Sequence, residues 1–395
     1  MKVLLFTKMF PRIGNDSFGS YVYDQIKAMT DLGIDVHVVS PHLYVPKICG
    51  VLGGKLKVYA LAPHEYVYRN QRVVSPDCVW LRNVFNNPEV KYRVFKASVI
   101  NRFIEECKCV QPDVIYALDP TMEGRLAVEL KSKLGIPVVL IEHSMRKFYN
   151  DLYGKGKYEH IYGQVANDAD AIVYVSSPQK SQFEEITGSD TNSYVVLNGF
   201  VSEDIVNNRV VLADNVVKLI CIGYLEERKG YPILLRAMQY LKDHSKHDYT
   251  LTIIGDGINR AEYETDAIEY GIKDNVIFKG IISHKEVFKE LSNSDIFVLP
   301  SYGEALGISY LEAMNCGIPV IGTKNEGISD IVLHKENGLL VSSKDVKSVC
   351  EAIEYYVNNV DLAREIARKG KLSVRNLSWE NNAKKMLDCF KDVIG

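Results

Sequence analysis

Short, continuous apolar runs alternate with helical stretches from one end of this chain to the other, and that alternation leaves few folds open. Strands are predicted at residues 2–7, 35–40, 56–61, 113–118, 137–143, 171–176 and 193–198 in the first half. In the second half they fall at 217–223, 251–255, 276–280, 296–300, 319–323 and 338–342. Most are unbroken apolar runs rather than alternating ones, the pattern of strands covered on both faces of a parallel sheet. Between them, apolar residues recur at helical steps: in YPILLRAMQYLKD, Ile233, Leu234, Ala237, Met238 and Leu241 form one stripe. Strand, helix, strand throughout means an α/β protein with doubly wound sheets.

Thirteen strands are too many for one such sheet and suit two. A length of 395 residues, 47% hydrophobic and 25% charged, is that of a soluble globular chain of two or three domains. The punctuation lapses in the polar stretch GFVSEDIVNNRVVLADN, so domains are expected at 1–200 and 201–375, with a last helix from 376 crossing back onto the first. Ligands of open parallel sheets bind outside the carboxyl ends of strands, so two such domains would face each other across one cleft. No apolar run approaches the roughly 18–20 residues of a membrane-spanning helix. The N-terminus reads as a first core strand rather than a signal peptide. The eight cysteines are scattered without a C-x-x-C, which suits a reducing cytoplasm.

The most informative segment is PSYGEALGISYLEAMNCGIPVIGT. A buried strand ends at Pro300, a loop holds Gly303 and Glu304, and a helix is predicted to begin near Leu306. Amides at Leu306, Gly307 and Ile308 would face the strand's carboxyl end and, with the helix dipole, form an anion site. Glu304 and Glu312 are eight positions apart, at most about 12 Å along a helix axis. Such carboxylates suit the vicinal diols of sugar and ribose, and they repel phosphate. The alternative is a Glu304 that caps the helix and a solvated Glu312. In LICIGYLEERKGYPILLRA, Lys229 precedes a helix at the end of a strand, a good position for a diphosphate. The alternative there is a solvated run of loop charges, Glu226 to Lys229.

Together these segments resemble the retaining glycosyltransferases of family 4, on the GT-B fold of two Rossmann-like domains. That family carries PS-x-x-E-x-x-G-x-x-x-x-E-A-M-x-x-G-x-P-V, matched from Pro300 to Val320. The other landmarks stand in order: Gly223 to Gly230, IIGDG, VIFKG, SDIFVLPS, Asn198-Gly199 and a terminal helix led by SWE. The resemblance implies transfer of a sugar from a nucleotide-diphosphate sugar to a hydroxyl of a glycan or lipid-linked acceptor, with the acceptor on the N-terminal domain. It implies that Glu312 holds the ribose hydroxyls. Glu304, with amides of Ala305, Leu306, Gly307 and Ile308, would hold the donor sugar. Lys229 would bind the diphosphate, and Lys279, at the end of VIFKG, would meet the base through its backbone. His143, ending a strand in VVLIEHS, matches the family's cleft histidine; taken alone, such a residue is more often structural. Where the family has Arg after the first glycine of its phosphate motif this chain has Tyr224, so the second cation falls to Arg228 or is absent. Gly19 is the candidate for close approach to phosphate after the first strand.

No metal or other cofactor is expected. The one Asp-x-Asp, Asp168-Ala169-Asp170, reads as a helix end, and the leaving-group charge would be met by Lys229 and the helix mouth. Retention would follow the front-face route, in which the acceptor hydroxyl attacks from the side the nucleotide leaves. A net charge of −3 argues against nucleic acid as a partner. Residues 42–104 nevertheless carry ten Lys/Arg against three Asp/Glu, interleaved with Tyr44, Tyr59, Tyr66, Tyr68, Trp80, Phe85, Tyr92, Phe95 and Phe103. That stretch either docks on an anionic membrane surface or is a solvated charged face over core aromatics. Two rival functions remain on sequence: a nucleotide-sugar epimerase of the same fold, and a non-catalytic nucleotide-sugar-binding subunit. A dinucleotide oxidoreductase is weaker, since no G-x-G-x-x-G follows the first strand.

Overall fold

The computed structural model describes all residues except 13–15, 17, 53, 80–86, 189–190, 203–211 and 213–215. It divides into two compact units, Met1–Gly199 with Trp379–Gly395, and Phe200–Ser378. In chain order the first contains β1 (Lys2–Phe6), β2 (Asp35–Val39), β3 (His42–Leu43), β4 (Glu65–Tyr68), β5 (Gln71–Val74), β6 (Asp77–Cys78), β7 (Val114–Leu118), β8 (Val138–Glu142), β9 (Ala171–Tyr174) and β10 (Ser193–Val195). Eight of these form one sheet in the order β10-β9-β8-β7-β1-β2-β5-β4, while β3 and β6 pair apart from it. Every residue of β7, β8 and β9 is buried, as their unbroken apolar sequences require.

One feature of this unit departs from expectation. Residues 56–61 were expected to form a strand, but Gly54–Ala60 is a helix. The edge of β2 is taken instead by β5, with Val38 opposite Val73 and Val39 opposite Val74. β5 then pairs antiparallel with β4 through a two-residue turn whose central Arg69 and Asn70 both have positive φ. That is the primed turn a tight hairpin favours, built here without glycine, and the hairpin carries no Asn-Gly or Asp-Gly signal. Of the two readings open for the aromatics between 42 and 104, the core reading holds for most of those described. Tyr66, Tyr68, Tyr92, Phe95 and Phe103 are buried in the core, with the Phe103 ring stacked 4.3 Å from Phe6. Tyr44 is exposed, and Trp80 and Phe85 lie outside the described residues.

The terminal helix Trp379–Ile394 belongs to this first unit. A buried polar chain anchors it: Tyr116 Oη donates to Gln25 Oε1 (2.9 Å), and Gln25 Nε2 donates to Asn382 Oδ1 (2.9 Å). Asn382 Nδ2 in turn donates to the Leu197 carbonyl.

The second unit contains β11 (Val216–Ile222), β12 (Asp248–Ile254), β13 (Val276–Gly280), β14 (Ile296–Val298), β15 (Val320–Thr323) and β16 (Leu339–Val341). All pair parallel, in the order β13-β12-β11-β14-β15-β16. Counted within the unit this is 3-2-1-4-5-6, the strand order of a dinucleotide-binding Rossmann sheet, with its switch point between β11 and β14. The helix after β11, Tyr231–His244, buries Leu234, Leu235, Ala237, Met238 and Leu241; Leu235 takes the core place expected of Ile233.

At the switch point the chain after β11 presses on the chain after β14. Gly230 has φ 76°, and a Cβ on it would lie 2.1 Å from the Pro300 carbonyl oxygen. Gly230→Ala is therefore expected to destabilise the protein by at least about 2 kcal/mol, read as a lowered denaturant midpoint. An unchanged midpoint would mean that these two segments are not in contact.

In the first unit, Glu142 at the end of β8 is buried among tyrosines. Its Oε1 accepts from the Ser144 N–H (2.6 Å) and its Oε2 from Tyr149 Oη (2.7 Å). Burial pushes its carboxyl up to about 8 in spite of these bonds. An unfolded glutamate titrates near 4.3, so between about pH 4.3 and 8 the folded protein holds a proton that the unfolded chain has released. Stability from this group is complete below that window and is lost as pH rises through it. Glu142→Gln cannot ionise, so its melting temperature relative to wild type should rise steadily from pH 5 to pH 8. A difference independent of pH would show an ordinary carboxyl.

Candidate functional site

In the second unit, the loops following β11 and β14 are stitched together. The Tyr302 N–H donates to the Arg228 carbonyl (2.7 Å), and Arg228 Nη1 donates to the Gly303 carbonyl (3.1 Å). Lys229 closes the short turn Glu227–Lys229, and its ammonium is hydrogen-bonded to Glu304 Oε2. Arg228 Nη1 stands 3.8 Å from the same oxygen, and its Nη2 pairs with Glu226 (2.6 Å). Tyr224 is more than half exposed. Burial by itself raises the Glu304 carboxyl, but Lys229 and then Arg228 more than reverse this and hold it below the usual range. Neither Glu304 nor Lys229 belongs to a solvated loop run: their side chains are only 10% and 13% exposed. Removing one partner of such a buried pair costs about 3–5 kcal/mol.

The loop bearing Glu304 is clasped by a residue that sequence reasoning did not single out. Glu326 Oε1 accepts from the Gly303 N–H (2.9 Å), and Oε2 accepts from the Glu304 N–H (2.8 Å). The Gly327 N–H donates back to the Glu304 carbonyl (3.0 Å), and a Cβ on Gly327 would lie 1.8 Å from the Ala305 oxygen. Burial pushes Glu326 up, and although its two amide bonds and Arg228 lower it, the nearby Glu304 charge adds to the rise. Glu326 aims the Glu304 side chain by fixing the backbone beneath it.

The helix expected near Leu306 begins two residues later, as Ile308–Asn315, with Gly307 as a left-handed cap at φ 83°. The Glu326–Gly327 clasp fixes the loop at Gly303 and Glu304, ahead of this helix. Among the described residues, no hydrogen bond is donated by the N–H of Leu306, Gly307 or Ile308. Ala305 and Leu306 turn their side chains into the core. Glu304 makes no side-chain cap, and Glu312 is not a solvated helical residue: it is buried, and its Oε1 lies 2.8 Å from His284 Nε2. Lys279, on β13, has its ammonium on Glu290 (2.6 Å). The second unit thus brings Arg228, Lys229, Glu304 and the amides of 306–308 to one switch point, with Glu312 farther along the same helix.

Gly19 and His143 belong to the first unit. Gly19 has φ 67° and caps the helix Ser20–Asp31; a Cβ there would lie 2.7 Å from the Met9 carbonyl. Its lack of a side chain is explained by that backbone approach. His143 follows β8, with its ring edge-on to Tyr21 at 4.9 Å. Burial pushes its imidazole down to about 3, and Nε2 has no hydrogen-bond partner among the described residues. His143 is therefore a neutral ring with an unsatisfied nitrogen. At the switch point of this sheet, Lys8 follows β1 and lies 3.6 Å from Asp119, which follows β7, and 3.3 Å from the buried Glu123. Asp168 ends the helix Glu159–Asp168, and Asp170 accepts from the Val138 N–H (2.8 Å) and pairs with Lys131 (2.8 Å). None of the eight cysteines is joined in a disulfide. No helix among the described residues is long and apolar enough to cross a membrane.

Lys8, Asp119, Glu326 and His284 were legible in one way only. Each is a charged or titratable residue within a few positions after a predicted strand, where a parallel sheet puts its ligands.

Comparison with known proteins agrees with this architecture. Residues 204–373 match the model of Glycosyl transferases group 1, and residues 19–203 match that of Glycosyltransferase Family 4. An uncharacterised glycosyltransferase of Methanocaldococcus jannaschii is 28% identical over 268 residues, 68% of this chain and 72% of its own. The GDP-mannose-dependent alpha-(1-6)-phosphatidylinositol monomannoside mannosyltransferase of Mycolicibacterium smegmatis is 27% identical over 232 residues, 55% of this chain and 59% of its own. Among solved structures, the sucrose-phosphate synthase of Thermosynechococcus elongatus superposes with a TM-score of 0.80 at 18% identity, covering 100% of this chain and 99% of that one. With the two family models meeting at residues 203 and 204, this chain belongs to the family 4 glycosyltransferases and has their GT-B fold.

Proposed function

We propose that this glycosyltransferase moves a hexose or related sugar from a nucleoside diphosphate to a hydroxyl of a glycan or lipid-linked acceptor, with retention at the anomeric carbon and without a metal. The observation that carries the reading is the buried Lys229–Glu304 pair, with Arg228 beside it, at the carboxyl ends of β11 and β14. A diphosphate carries more charge than a carboxylate and competes for Lys229 and Arg228. Glu304 is then released to accept hydrogen bonds from the hydroxyls of the donor sugar. The N–H groups of Leu306, Gly307 and Ile308 supply further donors at a helix N-terminus. Glu312 takes the ribose hydroxyls, and the end of β13 at Lys279 meets the base through its backbone.

In the reaction, the bond from the anomeric carbon to the diphosphate oxygen breaks while the acceptor oxygen bonds to that carbon on the same face. The acceptor proton passes to the departing phosphate, and Lys229 and Arg228 stabilise the charge left there, so electrostatic preorganisation supplies the catalysis. His143, neutral at physiological pH, offers a hydrogen bond to the sugar without acting as an acid. A lipid-linked acceptor is supported by the phosphatidylinositol-based substrate in the name of the mycobacterial relative. It is supported also by exposed Tyr44, Ile48, Val58 and Leu61 beside exposed Lys47 and Lys57.

A thermal-shift screen against uridine, guanosine and adenosine diphosphosugars identifies the donor. With it, Lys229→Ala and Glu304→Gln should each lower turnover at least about 100-fold while a cooperative melt is retained; wild-type rates in both would refute the assignment. For the membrane component, the protein should co-sediment with anionic vesicles at low salt and be released by high salt. Absence of binding at low salt would remove it.

A further inference from the structure

We propose that His284 is a positioning residue of the donor site, whose imidazole holds the Glu312 carboxylate in the orientation that takes the ribose hydroxyls. The inference rests on the reading above, in which Glu312 binds ribose, and it assigns a role to a second side chain from a different crossover of the sheet.

His284 Nε2 lies 2.8 Å from Glu312 Oε1. Glu312 is buried on the helix following β14, whereas His284 opens the helix His284–Ser292, four residues beyond the end of β13. The start of that helix is built to hold still. Ser283 Oγ accepts from the Glu286 N–H (3.3 Å), and Glu286 Oε2 accepts from the Ser283 N–H (2.9 Å), a complete capping box. The ring of His284 stands edge-on at 4.9 Å and 87° to Phe288, which is fully buried. Backbone and ring are thus both constrained before the imidazole meets the carboxylate.

The chemistry of the pair is complementary to a diol. An imidazole Nε2–H donates to one carboxylate oxygen, and the other oxygen keeps its lone pairs for a hydroxyl. A carboxylate held on one side by a fixed donor cannot rotate its plane away from the ligand, so less order has to be imposed when ribose arrives. Its place next to β13, the strand expected to meet the base, makes His284 the link between the base and ribose parts of one nucleoside site.

The test uses the whole protein and calorimetric titration with uridine, guanosine and adenosine diphosphates. The tightest of the three is then compared with its 2′,3′-dideoxy counterpart. His284→Ala should weaken the ribonucleotide about tenfold, the size of one hydrogen bond to a charged group, and leave the dideoxy nucleotide unchanged. His284→Gln, which carries an N–H at a similar reach, should restore most of the affinity. In the double variant with Glu312→Ala, the loss should not exceed that of Glu312→Ala alone. If His284→Ala binds the ribonucleotide like wild type, or loses ribo- and dideoxynucleotide equally, the positioning role is wrong while the donor site stands. If wild type binds none of the three diphosphates, or binds ribo- and dideoxynucleotide alike, the donor-site reading fails and this inference fails with it.

Discussion

The reversal of strand order between β11 and β14 is the constraint from which the candidate site follows. To one side of that point the sheet grows through β12 and β13, and to the other through β15 and β16. The chain segments that leave β11 and β14 therefore diverge and expose the carboxyl ends between them. Lys229 and Glu304 are 75 positions apart in the chain and meet there because each follows one of these two strands. The contact is tight enough that Gly230 has no room for a side chain against Pro300. Moving either segment would separate the buried ion pair and leave a charge without its partner, so fold and site hold each other in register.

Electrostatics in both units follow from dryness. Glu304 remains ionised because two cations reach it, and Glu326 is turned inward because two backbone amides receive it. In the first unit the same dryness acts without compensating charge. Glu142 is raised and His143 is lowered, so two adjacent residues both favour their neutral forms.

Much of this was readable before any coordinates. Unbroken apolar runs placed every strand of the second sheet, and the sequence from Pro300 to Val320 singled out Glu304 and Glu312. What failed to read has local physical causes. The hairpin of β4 and β5 turns on Arg69 and Asn70 in left-handed conformations, which no composition rule anticipates. Residues 56–61 have strand-like residues but no sheet edge to join, because β5 already occupies it. The helix that carries Glu312 starts at Ile308 and not at Leu306, because Gly307 takes a left-handed conformation that ends the preceding loop.

Sequence by itself determined the class of the fold, the strands of the second sheet and the candidates Lys229, Glu304 and Glu312, because strands buried on both faces demand unbroken apolar runs and these charges stand at fixed spacings beside them. Only the tertiary structure decided which of those charges meet. Lys229 with Glu304, Glu326 with the amides of Gly303 and Glu304, and His284 with Glu312 all pair across separate crossovers. Such pairs depend on strand order, and strand order leaves no trace in the local pattern of a chain.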